Sequence, residues 1–410
     1  MKKPQLLLSI ILMLFVFSAE AQWVSKVSGT NQALYDIHFP SPATGYAVGY
    51  AGTMIKTTDA GETWSTLSIN TTEDLYAVHF KNEMAGFVAG DDHLFKTEDG
   101  GDTWTEILLS SGREFRDLFF LDDQTGFCTG GENLILKTTD GGNTWTPTVT
   151  PATNNVLTLS SIHFPTPLIG YAVGVGYNWG YLKTTDGGEN WTSVPINTPV
   201  SNLSNLESVF FTDVDKGFIG GWYISAFVAT TDGGNNWFSL DEEAVSQIYS
   251  IYFPTASHGY VVGWIGQIFT TTDGGATWSY EALGNNNFYA VYAVDENTAY
   301  IAGDNGTILK TSNGGVTAQS EVAATPIPVR VFPNPAIDVV RVDLSAYANR
   351  AVRIELYDVQ GNRLQVLETE AASDISPQID LSACPNGVYL LRVQSAGLPD
   401  TTKPVVVQKE

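Results

Sequence analysis

Three sets of residues have types and spacing that could do chemistry. Asp36 and Asp117 occupy matching places on two short alternating runs, Leu34-Tyr35-Asp36-Ile37-His38-Phe39 and Phe115-Arg116-Asp117-Leu118-Phe119-Phe120. Two carboxylates facing one space are what glycoside hydrolysis uses, one as acid and the other as base or nucleophile. The matching places in five other copies hold Ala77, Ser161, Ser208, Ser250 and Ala290, small residues suited to lining a solvated channel. His38, His79 and His163 share a second register, and three imidazoles can hold a zinc ion. The other copies put Phe119, Phe210, Tyr252 and Tyr292 there, so the register calls for an aromatic ring; no metal and no cofactor are expected. Trp179, Trp222 and Trp264, flanked by Tyr177 and Tyr223, form the third set. They fall between the second and third strand patterns of successive units, where loops present side chains for binding.

These residues are positioned by a repeat. Thr57-Thr58-Asp59-Ala60-Gly61-Glu62-Thr63-Trp64 recurs in copies ending at Trp104, Trp145, Trp191, Trp237 and Trp278, at spacings of 40, 41, 46, 46 and 41 residues. A period near forty means stacked supersecondary units, none able to bury a core alone. Within a unit come Leu34 to Phe39, then Gly45-Tyr46-Ala47-Val48-Gly49, then Thr53-Met54-Ile55-Lys56-Thr57, then the turn and a Trp strand. Four short strands per unit with Gly at the turns predict a β-propeller blade. Asp59, Asp99, Asp140, Asp186, Asp232 and Asp273 are read as structural, closing the turn by accepting backbone N–H groups two or three residues on. Six acids in six similar frames cannot converge on one substrate.

The offsets predict closure. Trp64 precedes Tyr76, Phe80 and Gly86 by 12, 16 and 22 residues, and Trp23 precedes Tyr35, Phe39 and Gly45 by the same intervals. Trp23 is thus a Trp strand without a turn, while the seventh turn, Thr311 to Thr317, reaches Ala318 where its Trp should stand. Residues 23 to 27 can complete that unit and remove the open edges of a linear array. The count is seven blades. Trp-to-first-strand distances lengthen to 15 and 16 residues entering blades 4 and 5, on the same face as the three Trp loops. That face, carrying Trp179, Trp222, Trp264, Tyr177 and Tyr223, is the expected ligand-binding face.

Composition narrows the partners. Residues 23 to 327 carry 10 Lys and Arg against 33 Asp and Glu, a field that repels phosphate backbones, so nucleic acid is not an expected partner. Residues 1–21 read as a signal peptide: Lys2 and Lys3, an apolar core of about twelve residues, and Ala19-Glu20-Ala21. That core is too short to span a bilayer, and no later stretch serves. Cys128 and Cys384 lie in different halves and are read as packing residues.

The box Thr-x-Asp-x-Gly-x-Thr-Trp resembles the Asp-box of bacterial neuraminidase repeats. With its Gly-Tyr-Ala-Val-Gly strand, the unit over residues 22–318 resembles the propeller of photosystem II assembly and stability factors. Departures are Ala60 for Gly, Asn190 and Asn236 for Thr, and Asn313 for Asp. Related repeats occur in sialidases, xyloglucanases, sorting receptors and assembly factors. The sialidase resemblance implies an arginine triad, for which the propeller offers only Arg113 and Arg116. The xyloglucanase resemblance implies a cleft between two propellers, and one is present.

After a linker at 319–328, residues 329–410 alternate in short strands and predict an immunoglobulin-like β-sandwich. Val331-Phe332-Pro333-Asn334-Pro335-Ala336, Leu356-Tyr357-Asp358-Val359-Gln360-Gly361 and Pro385-Asn386-Gly387-Val388-Tyr389-Leu390-Leu391-Arg392-Val393 resemble the C-terminal sorting domain of type IX secretion cargo. Cys384 departs from the Leu usual before the Pro. That resemblance implies a route out of the cell or onto its surface, with the type IX machinery as partner. The leading expectation is an all-β, secreted, non-catalytic propeller that binds a glycan or a protein. A glycan-cleaving hydrolase using Asp36 and Asp117, and an assembly factor for an envelope complex, are the alternatives.

Overall fold

The computed structural model describes residues 23–107, 113–151, 158–176, 180–196, 204–222, 227–240, 247–315, 329–334, 336–344, 347, 350–358, 363–370, 376–395 and 401–409. The signal segment, the linker at 319–328, and Tyr177, Trp179 and Tyr223 lie outside the described residues. Contacts divide the chain into two units, Met1–Thr317 and Ala318–Glu410. Among the described residues there is no α-helix, and none of their helices is long and apolar enough to cross a membrane.

The first unit is seven four-stranded antiparallel sheets. Sheet 1 runs Leu34–His38, Gly45–Gly49, Met54–Thr57 and Ser65–Thr66, and five more follow in the same chain order. Sheet 7 takes Phe288–Ala293, Ala299–Gly303 and Thr307–Thr311 from the end of the array and Val24–Lys26 from its start, with Val24 opposite Lys310. Each first strand lies beside the first strand of the next sheet, and Phe288–Ala293 lies beside Leu34–His38, so the sheets form a closed ring. The alternating apolar residues of each sheet face its neighbours, giving a chain of small cores rather than one.

Aromatic rings join the sheets. The Tyr46 ring on the second strand of sheet 1 stacks on Phe80 of sheet 2 at 3.6 Å, Tyr171 stacks on Phe211 at 3.7 Å, and Tyr300 stacks on Phe39 across the closure at 3.9 Å. Each such Phe lies over the Gly that begins its own second strand. A Cβ at Gly45 would stand 2.4 Å from the Phe39 ring. At the last junction Ala293 replaces the Phe, and Trp23 meets Tyr260 edge-on at 5.8 Å.

In the box turns Asp59 Oδ1 accepts the Thr63 backbone N–H at 2.8 Å and Oδ2 accepts the Thr63 hydroxyl at 2.6 Å, while Thr57 Oγ1 accepts the Gly61 N–H at 2.9 Å. The shortest bonds thus come from four residues on, and an N–H three residues on also reaches the carboxylate, as Asn143 does to Asp140 at 3.0 Å. Hydrogen bonds from Thr63 hold Asp59 down at about 2, and the matching bonds do the same for Asp99, Asp140 and Asp186. Asn190 and Asn236 replace the Thr hydroxyl with a side-chain amide donating to Asp186 and Asp232.

Ala60 stands at φ 58° where the other boxes have Gly, such as Gly100 at φ 73°. A Cβ in that region costs about 1–2 kcal/mol, part of which Gly returns as extra freedom of the unfolded chain. Ala60→Gly is therefore expected to raise the urea midpoint, by about 0.5 to 1 kcal/mol in stability. A lowered midpoint would contradict this account of the turn.

The second unit has two sheets, Arg330–Phe332 with Val339–Asp343 and Gln378–Asp380, and Arg363–Glu370 with Ala351–Tyr357, Gly387–Gln394 and Thr401–Val407. One core that includes Val340, Val342, Ile354, Leu391, Val405 and Tyr347 fills both inner faces. Two motif asparagines tie down the end of the chain: Asn334 Oδ1 accepts the Val406 N–H and Asn386 Oδ1 the Lys409 N–H, both at 2.7 Å.

Candidate functional site

The innermost strand of each sheet is an edge strand, and its inward N–H groups need acceptors. The small-residue register supplies them. Ser161 Oγ accepts the N–H of Val209 in the next sheet at 3.3 Å, Ser208 that of Ile251 at 3.0 Å, and Ser250 that of Val291 at 3.3 Å. Ala77 and Ala290 cannot do this, and the sheet after each carries an Asp. Asp117, after Ala77, takes its own neighbour Leu118 N–H on Oδ1 and Ile162 N–H on Oδ2, both at 2.8 Å. Asp36, after Ala290, takes Ile37 N–H at 2.8 Å and Val78 N–H at 2.7 Å. Five side chains thus serve seven N–H groups, each Asp covering for the Ala behind it.

The channel they line has a cavity of about 370 Å³. Burial raises Asp36 to about 8 and Asp117 to about 6, against the pull of their backbone hydrogen bonds. The histidines lie one step along the same wall. His38 Nδ1 accepts Phe80 N–H and His163 Nδ1 accepts Phe211 N–H, each at 3.3 Å. Their rings pack among aromatics, His163 at 4.3 Å from Phe210 and His79 at 5.1 Å from Phe120. Burial lowers His79 to about 4 and His163 to about 3.

Just before the Asp and Ser register, every first strand has a β-bulge. The pairing jumps across Leu34/Asp36, Leu75/Ala77, Phe115/Asp117, Leu159/Ser161, Leu206/Ser208, Ile248/Ser250 and Phe288/Ala290. A bulge leaves one residue unpaired and re-aims its side chain. The seven bulged residues are Tyr35, Tyr76, Arg116, Ser160, Glu207, Tyr249 and Tyr289. All seven line a single cavity of about 480 Å³ together with Asp74 and Trp222. This is a mouth of the channel, opposite the box turns. Alternation along the strand does not reveal it, but the Gly at or next to the end of each second strand is a signal: a Cβ at Gly49 would stand 1.9 Å from Ala33 O, and at Gly90 2.1 Å from Asp74 O.

The rings form an arc. Tyr249 meets Tyr289 at 5.1 Å, Tyr289 meets Tyr35 edge-on at 5.4 Å, and Tyr35 stacks on Tyr76 at 5.6 Å. Arg116 lies over the Tyr76 ring, Cζ 3.9 Å from its centroid, and pairs with Glu114. The Tyr76 and Tyr289 hydroxyls donate to Asp91 and Asp304 at 3.2 and 3.0 Å. Glu207 completes the ring beside Ser160 and Trp222, and burial raises it to about 7.

Of the aromatics singled out in the sequence, Trp222 is half-buried in this cavity wall. Trp264 is 40 % exposed in the turn Trp264–Gly266 and is not among the cavity's lining residues. Trp179, Tyr177 and Tyr223 lie outside the described residues. Asp36 and Asp117 lie deeper, in the channel wall.

The family model described as photosynthesis system II assembly factor YCF48 matches residues 17–114, 109–201 and 235–328, and the one described as secretion system C-terminal sorting domain matches 330–408. No curated protein sequence matches the chain. Among solved structures it is similar to "YCF48 bound to D1 peptide", at 20% identity over 72% of this chain and 96% of that one, TM-score 0.60. It is similar to a GH74 enzyme of Niastella koreensis, at 14% identity over 95% and 75%, TM-score 0.56. It is also similar to PorZ, described as a surface component of the type-IX secretion system of Porphyromonas gingivalis, at 16% identity over 94% and 60%, TM-score 0.50. At these identities the likeness is one of fold.

Proposed function

Because the chain belongs to the photosynthesis system II assembly factor YCF48 family and ends in a secretion-system sorting domain that marks it as secreted or cell-surface, we propose that it is a binding propeller displayed outside the cell, holding a glycan or protein ligand at its channel mouth. One observation carries the proposal: seven bulges turn four tyrosines, an arginine, a serine and a glutamate into one cavity of about 480 Å³ that Trp222 also walls. Aromatic faces with a few charged groups at the rim are the make-up of a recognition site. The test is a glycan and surface-protein binding screen of the secreted protein, with a hydrolysis assay run beside it; peptides come first in the screen, since one neighbour in fold is described as peptide-bound.

A hydrolase is the second reading, favoured by the raised Glu207, which suits a general acid near neutral pH. Against the Asp36 and Asp117 pair stands the use of all four of their carboxylate oxygens by backbone N–H groups. Turnover lost in Glu207→Gln would favour the hydrolase.

Export through the type IX machinery rests on the C-terminal domain. A chain stopped at Ala318 is expected to disappear from the medium and the cell surface while remaining in cell extracts. Surface recovery of that truncation would contradict the sorting assignment.

A further inference from the structure

The mouth cavity is aromatic in its walls and acidic at its rim. Asp74 and Glu207 line it, Asp91 and Asp304 stand behind two of its tyrosine hydroxyls, and Glu114 stands behind Arg116. Against these five carboxyl groups the described lining residues offer one guanidinium, that of Arg116. The propeller's lysines offer little more: Lys56, Lys137 and Lys183 donate to the box carbonyls of Gly100, Gly187 and Gly233 at 2.7–2.9 Å, on the far side of the ring.

Resting on the reading of this mouth as the ligand site, we propose that it receives an arginine or lysine side chain presented by a partner protein. A cation over a tyrosine face is held by the ring's quadrupole, more strongly when partly removed from water. The mouth already shows this arrangement, with Arg116 over the Tyr76 ring on which Tyr35 also stacks, and elsewhere Lys56, Lys183 and Lys310 stand over Tyr46, Tyr171 and Tyr300 at 5.2–5.8 Å. Continuing the arc, Tyr35, Tyr289 and Tyr249 lie on one side of the cavity, with Glu207 and Asp74 also in its wall. Asp74 gives one oxygen to the Ala51 N–H at 2.8 Å, which fixes the carboxylate and leaves the other oxygen for a donor. An acidic or phosphorylated ligand meets the opposite situation: its one partner, Arg116, is paired with Glu114 and stacked on Tyr76. The acid excess of residues 23 to 327 would also steer a basic partner toward this propeller.

Glu207 makes the binding pH-dependent. Burial holds its pKa near 7, with Ser160, Arg116 and Trp222 pulling it down and Glu114 pushing it up. An arriving cation favours the charged form, so binding strengthens as pH rises through about 7 and releases a proton.

The experiment titrates the full secreted protein with hexa-arginine, hexa-lysine, hexa-glutamate, a glucosamine tetramer and its N-acetylated form. Expected are binding of the two basic peptides, weakening with salt, and an affinity at least about fivefold higher at pH 8 than at pH 5.5. Glu207→Gln and Asp74→Asn should each lose about tenfold, while Glu98→Gln, an exposed carboxylate paired with Lys96, should leave affinity unchanged. Equal losses in all three variants would mean attraction to net charge alone and overturn the proposal, as would preference for hexa-glutamate or for either sugar. If a sugar binds and Tyr289→Ala abolishes it, the mouth remains the ligand site and only the arginine or lysine guest is wrong. If no probe responds to Tyr289→Ala, the mouth itself is wrong.

Discussion

Removing residues 22–30 is expected to unfold the whole ring at a temperature lower by about 10 °C or more, in one transition and not as the loss of one sheet. Trp23 is buried in the core of sheet 7 beside Tyr260, and deleting a buried Trp costs about 3–5 kcal/mol. The ladder from Val24–Lys26 to Thr307–Thr311 goes with it and leaves an open edge. Glu62 of sheet 1 bridges Lys26 and Lys310 at 2.6 and 2.7 Å, which fixes register, though exposed pairs of this kind contribute little energy. Because every sheet buries its faces only against its two neighbours, a break at one junction exposes cores on both sides. A calorimetric scan decides it: an unchanged transition contradicts closure, and a separate early transition contradicts cooperativity around the ring.

The second large effect is expected from the channel girdle. Asp36→Ala leaves Ile37 and Val78 N–H groups without side-chain acceptors, at about 1–3 kcal/mol each before channel water takes its share, so about 2 to 3 kcal/mol in all. Ser208→Ala leaves one and should cost about half as much. Asp36→Ser restores the bond to Val78 but not to Ile37, whose preceding sheet offers Ala290; adding Ala290→Ser should recover most of the loss. Additive losses in that pair would contradict the girdle.

The same Asp sets a pH dependence. Its folded pKa of about 8 lies above its ordinary 3.8, so the stability it contributes is complete below about pH 4 and is lost as pH rises through about 8. The melting temperature of the natural protein should fall between pH 5 and pH 9, and the Asp36→Ser/Ala290→Ser variant should fall less.

Much of this architecture is legible in the residues. The box period gives the sheets, and the intervals after Trp23 give the closing strand, because each blade repeats the same turn chemistry at the same distances. The sorting motifs are equally plain, since Asn334 and Asn386 make side-chain bonds that few other residues could make. The site is harder. Period-two alternation separates inward from outward residues only while pairing is regular, and every first strand breaks it at Tyr35, Tyr76, Arg116, Ser160, Glu207, Tyr249 or Tyr289. The residues that share the cavity are therefore scattered in sequence, one per sheet. Asp36 and Asp117 invite a catalytic reading because their partners are backbone groups of the next sheet, which a sequence does not display. Trp222 was visible as a loop aromatic, but its place beside Glu207 depends on the bulge.

The ligand is expected at the channel mouth and not on the outer loops. The measurement that tests it most directly is the affinity for the binder recovered from the glycan and surface-protein screen, compared among the natural protein, Tyr35→Ala/Tyr289→Ala and Trp264→Ala. A loss of at least about tenfold is expected in the tyrosine variant, roughly 1.4 kcal/mol, with its melting temperature nearly kept and Trp264→Ala unaffected. Full affinity in the tyrosine variant, with the loss appearing instead in Trp264→Ala, would contradict it.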